Sequence, residues 1–237
     1  MKARKVKKLD PGSPLAENAA RIVRVRLDEM RSFAPTALEP ESSTEQHDMR
    51  IAAKRLRYIL EATEFCFGRP GAEARRRAKE LQEILGELHD CDVMLPRVES
   101  HLDELRAADA AVVRERAGGA DDLDVSLAAR APHRTAYRGL DVLAVYVQAR
   151  RGLLFERFVA FWVEQERAGT WERLERAAER LLDEFRERRR AAERAARAAR
   201  ELAEAEGAEG AERAAAERAR VAAEDLRLAR RQAGPVA

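Results

Sequence analysis

Cysteine is nearly missing from this chain of 237 residues, with Cys66 and Cys91 its only two. They cannot build a disulfide framework and neither belongs to a zinc-type cysteine pair, so a reducing, cytoplasmic setting is expected. Aromatic residues make up only 5% of the chain, which implies a core of Leu, Ile, Val and Ala. Nowhere do 18 apolar residues run together, and no early apolar run resembles a signal peptide. A surplus of one charge sign is also lacking: 45 basic residues against 43 acidic ones leave a net charge of +2. Any site for a polyanion must therefore come from charge segregation rather than total charge. Proline and glycine cluster near the start, around residues 68 to 71 and near 118 to 139. The long stretches between them favour helix, and the fold class is all-α.

Residues 1 to 14 read as a basic tail, with Lys2, Arg4, Lys5, Lys7 and Lys8 against Asp10, either disordered or in contact with nucleic acid. From Leu15 to about Phe33 an amphipathic helix is predicted: Leu15, Ala19, Ile22, Val23, Leu27 and Met30 share one face, and Arg21, Arg24 and Arg31 the other. Arg26 falls in phase with the apolar side, where an unpaired cation is costly. It must either snorkel out or point into a polar cavity filled by an anion. Pro35 and Pro40 break the chain. Ser42, Ser43 and Thr44 then offer N-cap oxygens for the next helix, with Glu45 and Gln46 beside its positive end.

That helix, running to about Phe67, sorts its charges by helical phase. His47, Arg50, Lys54, Arg57 and Tyr58 fall within about 100° of one another, while Ala52, Leu56, Ile59, Leu60 and Thr63 gather opposite. No acidic residue belongs to the cationic stripe, although a solvated helix face ordinarily interleaves Glu with Lys or Arg. After Gly68, Pro70 and Gly71, a second helix over about Ala72 to Leu95 repeats the pattern. Arg75, Lys79, Gln82, Gly86 and either His89 or Asp90 align, flanked by Ala78, Leu81, Ile84, Leu85 and Leu88. Packed as an antiparallel hairpin, the two helices bring their stripes together around a groove. Gly86 in mid-helix costs about 1 kcal/mol relative to Ala, which points to close approach of a backbone or ligand, or to a helix crossing. Arg50, Lys54, Arg57 and Lys79 are expected to form one continuous site, with Arg76, out of phase, as the matched control.

A third long helix is predicted over Val98 to Arg116, then a loop at Gly118, Gly119 and Asp121 between two halves of about 15–117 and 122–185. Another helix follows Pro132 and reaches Glu166, with possible interruptions at Gly139 and Gly152. It carries Arg150 and Arg157 in one phase. After Trp171 a last core helix reaches about Phe185. Residues 186–237 are overwhelmingly Ala, Arg and Glu, with Leu202, Val221, Leu226, Leu228 and Val236 their only larger apolar residues. They form an arm of solvated helix or disorder.

The segments His47-Asp-Met-Arg-Ile-Ala-Ala-Lys-Arg-Leu-Arg-Tyr58 and Lys79-Glu-Leu-Gln-Glu-Ile-Leu-Gly-Glu-Leu-His-Asp-Cys-Asp-Val93 resemble the CHAD family, the conserved histidine α-helical domain. The general likeness spans about residues 15 to 185. The resemblance implies two pseudo-symmetric helical bundles around a basic central cavity that binds inorganic polyphosphate without catalysis. It requires no cofactor or metal, and it makes polyphosphate granules a candidate partner, with neither membrane nor nucleic acid favoured. It carries over to His47, Arg50, Lys54, Arg55 and Arg57 on the first motif helix and to Arg75, Lys79 and Gln82 on the second. Arg150, Arg151 and Arg157 match the second half loosely, and Arg21 and Arg26 complete the set. Arg forks and Lys point charges suit successive phosphates. His47 can donate from both ring nitrogens when a polyanion raises its pKa.

Two other function classes compete. In an HD-type metal-dependent phosphohydrolase, His47, His89, Asp90 and a later Asp would be the ligands, yet Arg50, Lys54, Arg57, Arg75 and Lys79 would crowd a site that should be acidic. In a nucleic-acid-binding scaffold, bases would have only Tyr58 on the stripe to stack upon.

Overall fold

The computed structural model describes the backbone of residues 2–232 and the side chains of residues 2–204, 207 and 209–224. Among the described residues no strand occurs, and seven α-helices follow in order: α1 Leu15–Arg31, α2 Ala34–Ala37, α3 Ser43–Thr63, α4 Arg69–Ala117, α5 Val125–Ala128, α6 Arg134–Ala168 and α7 Thr170–Gln232. A 3-10 turn at Glu64–Cys66 links α3 to α4. The chain divides into two units, Met1–Leu182 and Asp183–Ala237.

In the first unit the two apolar seams meet as phase requires. Ala52, Leu56 and Leu60 of α3 and Ala78, Leu81, Ile84, Leu85 and Leu88 of α4 are all buried. At about 1.5–3 kcal/mol for each fully buried large aliphatic side chain, this contact dominates the unit. The hairpin turn depends on Gly71, where a Cβ would lie 2.7 Å from the Glu64 carbonyl oxygen and 2.9 Å from Phe67 Cβ. Helix α1 adds Val23, Leu27 and Met30 to the same core. Leu15 instead is exposed, because the first residue of α1 has no facing element. Gln46 sits inside: its Nε2 donates to the carbonyls of Ala37 (3.2 Å) and Glu39 (2.9 Å) and ties α3 to the turn before it. Ser42 stands at the N-cap of α3 with no side-chain hydrogen bond, so the expected hydroxyl cap does not form.

Helix α4 does not stop near Leu95 but continues through Pro96 to Ala117. A proline inside a helix removes one hydrogen bond and costs about 3 kcal/mol. Here Leu88 and Cys91 before it and Val98 and Leu102 after it are buried, and packing against α6 carries the helix across. Gly139 and Gly152 likewise leave α6 unbroken. Phe158 and Trp162 of α6 join Trp171 and Leu174 of α7 in the core, with the two indole rings stacked at 6.0 Å. At the far end of α4, buried Asp109 accepts hydrogen bonds from the His133 backbone N–H (3.1 Å), the His133 ring (2.7 Å) and Tyr137 (2.5 Å). Burial raises the Asp109 carboxyl pKa, but these hydrogen bonds outweigh it and the net shift is downward. Burial and the same bond push the Tyr137 hydroxyl up to about 12. His133 is therefore a fastening between α4 and the start of α6.

The basic tail is fixed along α1 rather than loose. Arg4 pairs with Asp28 and donates to Ser32 (2.7 Å), and Asn18 donates to the Asp10 carbonyl (2.7 Å). Arg26 neither snorkels nor faces an anion cavity. It meets Glu29, 1% exposed, at 2.6 Å. The other oxygen of Glu29 accepts from Arg55 (2.9 Å) and from the Arg4 backbone N–H (3.1 Å). One buried carboxylate thus joins the tail, α1 and α3.

The second unit is helical along its described length, and its described side chains are exposed apart from half-buried Phe185. Ion pairs one turn apart, such as Arg197 with Glu201 at 2.8 Å, line it, in keeping with its helix-favouring composition. The side chains of Leu226 and Leu228, and Val236 altogether, lie outside the described residues.

Glu29→Gln should cost about 2–3 kcal/mol of unfolding free energy in urea, because two half-buried guanidiniums lose their counter-charge. An unchanged midpoint would contradict the structural assignment of Arg26 and Arg55.

Candidate functional site

The groove between α3 and α4 gathers part of the expected cation set. His47 and His89 stack with ring centroids 4.3 Å apart and planes tilted 43°. Asp90 is exposed, so His89 is the residue facing His47. One turn along α3, the Arg50 guanidinium lies over Gly86. A Cβ there would be 3.4 Å from Arg50 Nε and 3.8 Å from Nη2. The glycine accommodates an arginine side chain, not a backbone. Lys54 Nζ is 5.7 Å and Arg57 Cζ 4.4 Å from the centre of the Tyr58 ring. The ring faces these cations with its negative quadrupole and so holds Lys54 without an acid.

Besides Arg57 Nε, three buried polar atoms in this groove have no hydrogen-bond partner: His47 Nδ1, Arg50 Nε and Gln82 Oε1. Arg50 and Lys54 form no ion pair among the described residues. Burial, then His89 and then Arg50 depress the His47 pKa below its usual value, against a smaller upward pull from Asp48. The ring therefore stays neutral at pH 7, with its buried nitrogen unsatisfied. Buried polar atoms are ordinarily paired, and two of these three belong to groups that become donors to an anion.

The other expected residues are matched with nearby acids. Arg57 pairs with Glu61 at 2.9 Å and Arg75 with Glu64 at 2.5 Å. Lys79 lies 3.7 Å from Glu83. Glu61 and Glu83 are one turn beyond their cations, and Glu61, about 40° round the helix from Arg57, lies within the phase of the stripe itself, which is therefore not free of acid. Arg75, Arg76 and Lys79 line one open hollow of about 570 Å³ with Arg69 and Glu73. Arg76 thus shares a surface with the stripe and is no matched control. Arg138, exposed on α6 and following Tyr137, which binds Asp109, serves better, since Asp109 is about 35 Å along α4 from Gly86.

From the second half of the unit, Arg150 donates to Glu87 at 2.6 Å and approaches Cys91 Sγ at 3.6 Å. Arg151 donates to Asp92 at 2.5 Å and to Gln46 Oε1 at 3.3 Å. Both fasten α6 to α4. Arg157 is exposed and does not join the groove cluster. Arg21 binds Glu17 and the Lys8 carbonyl at the tail, and Arg26 and Arg55 share Glu29. Glu29, Glu87 and Asp92 are the residues that sequence reasoning missed. Only the three-residue spacing from Arg26 to Glu29 left a trace. Among the described residues no group of three or more His, Cys, Asp or Glu is arranged to hold a metal.

Residues 2–99 match the family model of the CHAD domain, a stretch that runs from the tail through α3 and into α4. The match ends well short of residue 185, to which the general likeness was expected to extend. No curated protein and no solved structure matches the chain.

Because the folded-state pKa of His47 lies below that of the unfolded chain, the unfolded chain takes up its proton first. Stability should fall as pH drops from 7 through about 6.5 and below, and His47→Gln should flatten that fall. A polyanion in the groove would reverse the shift. Imidazole resonances that titrate at the same pH with and without polyphosphate would rule out His47 as a contact.

Proposed function

We propose that the groove between α3 and α4 binds inorganic polyphosphate without hydrolysing it, in the cytoplasm. The supporting observation is a pair of cations without acids, Arg50 and Lys54, beside buried and unsatisfied nitrogens of His47 and Arg50. Phosphate oxygens are strong acceptors and would satisfy both. Arg50, held flat over Gly86, presents a preformed fork, and Lys54 a mobile point charge. Lys79 and Arg75 extend the track along α4 toward Arg69 and Arg76. The Lys79–Glu83 pair is more than half exposed and exchanges for phosphate at little cost, since exposed ion pairs contribute about 0–1 kcal/mol, whereas the Arg75–Glu64 pair is about one-third exposed. In its fuller form this reading places a basic central cavity between two pseudo-symmetric bundles, with α6 as the facing helix. Polyphosphate granules are then a natural partner.

The phosphohydrolase reading needs a third ligand near the stacked His47 and His89, which no His, Cys, Asp or Glu among the described residues supplies. A membrane partner draws no support from the helices, none of which among the described residues is long and apolar enough to cross one. On the cationic stripe nucleic acid would find only Tyr58, half exposed and already against Arg57, for base stacking.

Titration with long-chain polyphosphate should give an affinity that falls linearly on a log–log salt plot. The slope should be about −0.7 for each phosphate contacted, the value for single strands. Lys54→Ala should weaken binding by about 1–3 kcal/mol, and Arg138→Ala should leave it unchanged. Metal-dependent release of orthophosphate, abolished by His89→Ala, would replace this reading with the phosphohydrolase.

A further inference from the structure

Helix α6 buries one face, with Val147, Leu154 and Phe158 against the core, and leaves the opposite face apolar and uncovered. Val142 (64% exposed), Val145 (68%), Tyr146 (60%) and Leu153 (67%) stand on it, and Ala149 is exposed among them. Their spacings of three and four residues draw a continuous stripe centred on Ala149. Single exposed apolar residues are ordinary, whereas a contiguous stripe marks an interaction surface.

We propose that this face of α6 pairs with the same face of a second copy of the chain, antiparallel and with a two-fold axis at Ala149. The argument is charge and shape complementarity, since an antiparallel two-fold contact sets each residue opposite the one equally far beyond the axis. Val145 then meets Leu153 of the second copy. The large Tyr146 meets Gly152, where a Cβ would find nothing within 4 Å, so a ring has room. Asp141 meets Arg157, and Arg134 meets Glu164, each pair occurring twice. Arg157 and Glu164 form no ion pair among the described residues, and Asp141 has only a 3.7 Å contact with exposed Arg106. Glu156, a charge within the stripe, faces Val142 of the second copy and has Arg138 of that copy one turn further along. A parallel pairing in register would instead oppose like charges at every position.

The stripe from Arg134 to Glu164 is about 45 Å long and one helix wide, so it buries on the order of 500 Å² on each copy, near the lower end for specific association.

Sedimentation of the full chain should show a mass rising with concentration from 26.7 kDa toward twice that value. Val145→Asp should abolish the rise while leaving the thermal melt unchanged. Asp141→Arg and Arg157→Asp should each weaken self-association about tenfold or more, for like charges then face each other twice. An equimolar mixture of these two variants should associate again, because every facing pair becomes opposite in sign. A chain that stays monomeric throughout, a dimer indifferent to Val145→Asp, or a mixture no heavier than its separate components would each overturn the proposal.

Discussion

The contact between the apolar seams of α3 and α4 holds the rest of the first unit in place. It sets two cation-bearing helix faces side by side, an arrangement that Coulomb repulsion alone would open. Between exposed cations in water that repulsion is about 1 kcal/mol at contact distance. A single buried leucine contributes about twice as much, and Leu56, Leu60, Leu81, Leu85 and Leu88 are all fully buried along the seam. The apolar contact wins by a wide margin, so the groove can keep cations without acids beside them.

Acid pairing then divides those cations into two populations. Arg26 and Arg55 converge on buried Glu29, and Arg150 and Arg151 are taken up by Glu87 and Asp92 of α4. These four hold helices together. Arg50 and Lys54 instead lean on Gly86 and Tyr58, a glycine and a ring, and keep their charge available. Arg57, Arg75 and Lys79 lie between these extremes, in pairs whose exposure rises from mostly buried Arg57 to exposed Lys79.

Much of this arrangement was legible in the sequence because it depends on helical phase. The burial of Leu56 and Leu81, the Gly71 turn and the alignment of His47 with Arg50 and Lys54 follow from a period of 3.6. Contacts that depend on how one helix lies along another were not legible. Nothing in the spacing of Glu87 or Asp92 shows that α6 will present Arg150 and Arg151 to them, and Arg55 had the right phase for neither stripe nor seam until Glu29 was placed. The continuation of α4 through Pro96 was hidden for a similar reason: a local rule about proline gave way to packing on both sides of it. Leu15 failed in the opposite sense, being correct in phase but lying at a helix end with nothing to face.

The central claim is that pairing, not helical phase alone, decides which arginines meet the ligand. Arg50→Ala and Arg55→Ala sit on the same helix and test it directly when polyphosphate affinity and urea stability are measured for both. The account predicts that Arg50→Ala loses affinity with stability nearly intact, and that Arg55→Ala loses stability, through the half-orphaned Glu29, with affinity nearly intact. Equal losses of affinity in the two variants, or a fall in stability for Arg50→Ala alone, would contradict it.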